Sequence, residues 1–229
     1  MRKQQQIWAA EHATSASLTK MAGEEPASGV VAFVQWLKEY AAKPGHAVDI
    51  GSGKGRNAIY LAQQGYVVDA LEYIAIARQH TKTLAKAKGL ETKVHSKDVE
   101  IDGRWPYEDN VFDVAIDSFA SIDVETLEGR KHCRDEMYRT LKHGGYALVT
   151  VCSVDDEWER ELLANHPGPE PNSTIWPSNG KFQKDYSEEE LREFYEMFTV
   201  HELKTIQKPA HKLRRDGTAT NFWLVIQKK

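Results

Sequence analysis

The sequence predicts a doubly wound α/β domain with a seven-stranded sheet, five strands parallel and then a terminal antiparallel hairpin, with helices on both faces. Three observations predict it. Short apolar runs alternate with amphipathic helical ones between residues 29 and 152, the pattern of a parallel sheet covered on both sides. A glycine-rich turn, Gly51-Ser52-Gly53-Lys54-Gly55, follows the first apolar run directly. The last two apolar runs have no helix between them, so they pair antiparallel.

Each element has its own signal. Residues 29–43 set Val30, Phe33, Val34, Leu37 and Tyr40 at helical spacing, and Pro44-Gly45 closes that helix. Residues 46–50 form the first strand, and the helix after the glycine turn carries Ile59, Tyr60 and Leu61 as far as Gln64-Gly65. Residues 66–71 are the second strand, 74–88 a helix closed by Gly89, 93–96 the third strand and 111–116 the fourth. A helix over 125–141, ending at His143-Gly144-Gly145, leads to the fifth strand at 146–152. Asp155-Asp156-Glu157 begin a helix at Trp158, where the helix dipole favours acids. Pro167, Pro169, Pro171 and Pro177 make 166–180 irregular. Ser187 with Glu190 three residues on forms a capping box. Strands near 199–206 and 220–227, joined by a loop containing Asp216-Gly217, complete the sheet.

No repeat or low-complexity linker divides the chain, which reads as one domain: an arm (1–28), a core (29–152), an irregular insert (153–186), and a helix with the hairpin (187–229). No apolar stretch approaches the roughly 18 residues of a membrane span, and MRKQQQIWAAEH lacks the apolar centre of a secretory signal. The expected location is the cytoplasm. Cys133 and Cys152 match no zinc or redox spacing. A net charge of −4 argues against a general nucleic-acid binder. Residues 201–229 nevertheless hold seven Lys/Arg against two Asp/Glu, a basic end that is either a solvated hairpin face or an attractor for an anionic substrate.

The chemistry-bearing motif is Ala47-Val48-Asp49-Ile50-Gly51-Ser52-Gly53-Lys54-Gly55-Arg56-Asn57. Its glycines let the backbone turn sharply off the strand and let a ligand approach closely. A dinucleotide fingerprint would require a small residue at position 56, where this chain has Arg56. Glu72 follows the second strand, and a carboxylate there suits the two hydroxyls of a ribose. Tyr73 beside it offers a ring to pack on a base or to cover the sheet edge. Lys97-Asp98-Val99 follows the third strand, and Asp117, Ser118 and Phe119 stand at the carboxyl end of the fourth, the edge at which open α/β sheets bind ligands.

Residues 47–152 resemble class I S-adenosylmethionine-dependent methyltransferases, whose Rossmann-like sheet ends in the same hairpin. Within that family, G-x-G-R-N-x-x-Y-L-A-x-x-G-Y, here Gly53 to Tyr66, is similar to the tellurite-resistance type, which acts on small nucleophiles; so is the segment from His211-Lys212 to Phe222. The resemblance implies S-adenosylmethionine as cofactor and S-adenosylhomocysteine as product. It also implies a cofactor site of Asp49, Gly51, Ser52, Gly53, Arg56, Asn57, Glu72, Tyr73, Asp98, Val99, Asp117 and Ser118. Asp49 would lie near the methionine ammonium, Asp98 would take the adenine amino group, and the adjoining backbone N–H would read a ring nitrogen. The expected acceptor is a small molecule, with RNA or protein methylation, or cofactor binding without turnover, as alternatives.

A general base is needed only for a nucleophile that arrives protonated. Candidates are Asp117 and His12, then His166, Tyr186 and His211. Trp8 and His12 in the arm and Trp176 in the insert are candidate covers of the site. Asp117 with Asp155 and Asp156 could gather three carboxylates for magnesium, but the last two serve equally as a helix start, and no metal is assigned.

Overall fold

The computed structural model describes residues 3–13, 23–40, 43–212 and 215–229. Helix α1 (Lys3–Ala13) is followed by α2 (Ser28–Glu39), β1 (His46–Ile50), α3 (Arg56–Gln63), β2 (Val67–Leu71), α4 (Ala75–Ala87), β3 (Val94–Lys97) and β4 (Phe112–Ser118). Then come a 3-10 turn (Ser121–Asp123), α5 (Leu127–Thr140), β5 (Leu141–Cys152), α6 (Glu157–Asn165), β6 (Ser173–Ile175), β7 (Phe182–Lys184), α7 (Glu188–Phe194), β8 (Thr199–Lys212) and β9 (Arg215–Gln227). The main sheet runs β3-β2-β1-β4-β5-β9-β8. Its first five strands are mutually parallel, and β9 runs antiparallel to β5 and β8. This is the fold class expected from the sequence.

Because side chains alternate across a strand, each strand feeds two cores. Val48 and Ile50 of β1 join Trp105, Met137 and Leu191 on the α5–α7 face. Ala47 of the same strand joins Phe33, Leu37, Leu61 and Leu84 on the face covered by α2, α3 and α4. Each fully buried large apolar side chain contributes roughly 1.5–3 kcal/mol, so both helical layers are firmly held to the sheet. The sheet order reverses beside β1, and the carboxyl ends of β1 and β4 open a crevice there.

Three boundaries differ from expectation. The helix over 125–141 stops at Thr140, because β5 already begins at Leu141 and absorbs Gly144 (φ +78°) as an irregularity in its pairing with β4. The stretch 166–180 is not wholly irregular: β6 pairs antiparallel with β7, and the four prolines flank that short strand without interrupting it. Asp216-Gly217 lies inside the β8–β9 ladder instead of in a loop, opposite His211 and Ala210. Gly217 lets the strand lie against α6, since a Cβ there would press on the Trp158 ring at 3.0 Å and displace the Glu157 carboxylate. Of the expected capping box only one half forms: Glu190 N–H donates to Ser187 Oγ at 3.1 Å, while the Glu190 carboxylate turns to Asn172 and Lys184.

Candidate active site

The glycine loop leaves β1 with Gly51 at φ +60° and Gly53 at φ +54°, conformations that side-chain-bearing residues rarely adopt. Ser52 N–H donates to Leu71 O at 2.8 Å, which ties the loop to the end of β2. Glu72 is buried there, accepting from Gly53 N–H at 3.0 Å and from Ile74 N–H at 2.7 Å. Burial raises its pKa, against those backbone donors and Arg78, which lower it. Asp49 is buried beneath the loop, and burial pushes its carboxyl up to about 7, opposed by the Ala58 backbone and Arg56. Two buried atoms here have no hydrogen-bond partner, Asp49 Oδ2 and Ser52 Oγ.

A cavity of about 1090 Å³ extends from this loop across the carboxyl ends of the strands. Gly51, Ser52, Gly53, Arg56, Asn57, Glu72, Tyr73, Ser118 and His12 all line it. Asn57 also fixes the start of α2, its Oδ1 accepting from Ala27 N–H at 2.9 Å. Phe119, at φ +63°, lines the wall at the end of β4, an unusual backbone state for a bulky residue and one that marks functional edges.

Other expected residues lie elsewhere. Asp98 is not on the cavity wall: its carboxylate is gripped at both oxygens by Arg78, each contact 2.8 Å, and it faces solvent. Val99 turns its side chain into the α5–α7 core. Asp117 is buried below the wall, where one oxygen accepts from Ala120 N–H at 3.0 Å and Ser121 N–H at 3.1 Å and so shapes the 3-10 turn. Asp156 caps α6, accepting from Trp158 and Glu159 N–H, the helix-start role open to it in the sequence. Of the remaining base candidates, His166 is exposed, Tyr186 is in the core with its pKa raised by burial, and His211 sits at the cavity rim paired to Asp216 at 2.8 Å.

Helix α1 closes one side. Gln4 donates to Gly180 O at 3.1 Å and accepts from Phe182 N–H at 3.3 Å, and Asn179 donates to Glu11 at 2.7 Å, so the arm is pinned to the β6–β7 hairpin. His12 is buried over the loop; a Cβ on Gly53 would lie 3.5 Å from its Cε1. Burial, with Lys54 and His80 nearby, lowers the His12 pKa to about 4, so the ring is neutral at physiological pH. Lys181 Nζ stands between the Trp8 and Trp176 rings, 4.8 and 5.1 Å from their centroids, a cation–π seam between arm and insert.

The far end of the cavity was not visible in the sequence. Asp123, Glu159, Lys181, Gln183 and Lys212 meet there from the 3-10 turn, α6, β7 and its approach, and β8. Asp123 was passed over although it follows the fourth strand closely, where the strand-edge rule would have pointed.

Residues 47–145 match the methyltransferase domain family. The sheet that contains this stretch has the class I S-adenosylmethionine-dependent methyltransferase fold. No sequence match was found among curated proteins. Among solved structures, the fold is similar to a SAM-dependent methyltransferase from Methanosarcina mazei (TM-score 0.72, 21% identity, 84% of this chain and 96% of that one). It is also similar to TehB from Haemophilus influenzae (0.63, 18%, 100% and 68%). A third is the 1,6-didemethyltoxoflavin-N1-methyltransferase of Burkholderia thailandensis, solved with that compound and S-adenosylhomocysteine bound (0.67, 14%, 98% and 88%). Among the described residues no helix is long and apolar enough to cross a membrane.

Proposed function

We propose that this methyltransferase acts on a small-molecule nucleophile held inside the cavity, next to the cofactor at the glycine loop. The observation that carries this reading is the cavity of about 1090 Å³ at the carboxyl ends of the strands, covered on one side by α1 and the β6–β7 hairpin. Ligand pockets run to roughly 300–1,000 Å³, so this one has room for a cofactor with a compact acceptor. The basic end adds support against an RNA acceptor. Lys212 pairs with Glu159 at 3.1 Å and Arg215 with Glu161 at 2.8 Å, so part of this positive charge is balanced by α6.

The residues fit S-adenosylmethionine. Asp49 Oδ2, buried and without a partner, suits its ammonium, and Ser52 Oγ is a second unspent group at the loop. Glu72 already accepts two backbone N–H groups, yet each carboxylate oxygen retains a lone pair for a ribose hydroxyl. Tyr73, Ile74 and Ile101 supply flat and apolar surface for the adenine. When bound, the cofactor supplies an already activated sulfonium methyl. The chain's own task is then orientation and exclusion of water. Holding the nucleophile in line contributes on the order of 7–11 kcal/mol at best, and the arm and hairpin keep solvent from the site. His12, neutral and set over the loop, acts as part of that cover in this reading and not as the base.

Calorimetric titration with S-adenosylmethionine, S-adenosylhomocysteine and NAD in parallel tests the cofactor. Micromolar binding of both adenosyl ligands with NAD silent is expected; silence from both in folded protein removes the reading. A screen of small amines, thiols and oxyanions against a mixed RNA, read by mass spectrometry, tests the acceptor, and methylated RNA alone would overturn it.

A further inference from the structure

The far end of the cavity has a definite chemical character. Glu159 is fully buried on α6, with Oε1 on Lys212 at 3.1 Å, while Oε2 has no hydrogen-bond partner. Across from it Asp123, 13% exposed, also has a buried oxygen without a hydrogen bond, its nearest cation being Lys181 at 3.7 Å. Behind these lies Asp185, buried, with Oδ1 accepting from Gln183 and Oδ2 unpartnered. Leaving a buried acceptor unsatisfied costs roughly 1–3 kcal/mol, more for a charged group, and such groups ask for an explanation.

The cations present do not meet this demand. Lys212 is divided between Glu159 and Asp156, 3.7 Å from the latter, and lies over the Trp158 ring. Lys181 is held between two tryptophan rings. The remaining charged groups of this part of the wall, Glu125, Lys208 and His211, are at the rim. Burial raises the pKa of Glu159, against Lys212, and pushes Asp123 up to about 6, against Lys181, as expected where carboxylates outnumber their cations.

We propose that the acceptor is a compact amine that enters as a cation with its N–H donors on Glu159 and Asp123. One of these carboxylates takes a proton from the ammonium, and the freed nitrogen lone pair forms the N–CH3 bond as the methyl–sulfur bond of the sulfonium breaks, its electron pair staying on the neutral thioether. This rests on the methyltransferase reading above and narrows its acceptor. A chalcogen oxyanion or a carboxylate, which brings acceptors only, would meet like charge at this end. An ammonium supplies the missing donors and the missing positive charge together.

The test is calorimetry on the full chain saturated with S-adenosylhomocysteine. Phenethylamine, cadaverine and agmatine are compared with 2-phenylethanol, hydrocinnamate and selenite. At least one amine is expected to bind about tenfold or more tightly than any of the other three, the worth of a charge-assisted hydrogen bond. Glu159→Gln, which keeps the shape, should remove most of that preference, and Asp123→Asn should do so independently should the first variant misfold. Both variants should still bind S-adenosylhomocysteine. Equal binding of amine and alcohol, tighter binding of hydrocinnamate or selenite, or no saturable amine binding overturns the amine assignment while the cofactor reading stands. Failure of the parent chain to bind S-adenosylhomocysteine would take both down.

Discussion

At the loop end of the cavity, most lining groups come from one stretch between Gly51 and Ile74, carried by the loop after β1, α3 and the end of β2, with Asp49 buried beneath them. At the far end, Gln4, Asp123, Glu159, Gln183 and Lys212 arrive from five places along the chain and meet only because α1, α6 and the β6–β7 hairpin fold over the sheet edge. The first end is made by backbone geometry and the second by side-chain charge. The difference teaches where each can vary. A glycine loop has little freedom to change without losing its ligand, whereas a set of side chains from separate elements can be exchanged singly to suit a new acceptor.

The sharpest way to break this contrast is at Gly53. Gly53→Val puts a β-branched residue at φ +54°, a state that costs roughly 1–3 kcal/mol, and sets its side chain in the cavity under His12. Loss of S-adenosylmethionine affinity on the order of a hundredfold or more is expected by calorimetry, with the fold retained by circular dichroism. Normal affinity would remove the loop from the site.

Next comes Glu72→Ala, expected to weaken cofactor binding by roughly 1–3 kcal/mol. It also strands Gly53 and Ile74 N–H, so a lower Tm should accompany the weaker binding. Glu72→Gln keeps an acceptor oxygen and should recover part of the Tm with less of the affinity. Equal recovery of both would mean Glu72 serves the loop and not the ligand.

These effects also explain what the sequence could disclose. A contiguous motif with fixed spacing carries its own geometry, so Asp49, Gly51, Gly53 and Glu72 were readable together. The fold class followed because alternation, helix stops and the missing last helix each leave local marks. Glu159 and Gln183 leave none: one is an ordinary acid on a helix, the other a polar residue in a three-residue strand. Glu159 is paired with Lys212, 53 residues further on, and Gln183 with Trp176 across the β6–β7 turn, and no periodicity records either contact. The β6 strand was missed for a related reason, since the prolines that signal irregularity stand on either side of it.

A smaller effect separates Asp49 from its neighbours. Its carboxyl, raised to about 7 by burial, is pulled back down when an ammonium docks beside it. The complex is then strongest above pH 7 and weakens as pH falls toward the lower pKa of the bound state. About a tenfold loss in affinity is expected between pH 7 and pH 5, the equivalent of one pKa unit. Asp49→Asn should bind weakly with a flat profile over that range. A wild-type profile that stays flat would mean that the ammonium lies elsewhere.

The smallest expected effect tests the residue on which sequence and structure diverge. Asp98 follows β3 where the family resemblance sets the adenine acid, yet it is exposed and committed to Arg78, which also donates to Glu72 O at 3.0 Å. An exposed ion pair is worth about 0–1 kcal/mol, and no lost contact with the cavity would add to that. Asp98→Ala should therefore change cofactor affinity by less than about fivefold, with Arg78 still anchored on the Glu72 carbonyl. A drop comparable to that of Glu72→Ala would show that the loop after β3 re-seats when the cofactor enters, releasing Arg78 and bringing Asp98 to the adenine. The loop end would then share a property of the far end, a site completed by a side chain from outside the motif.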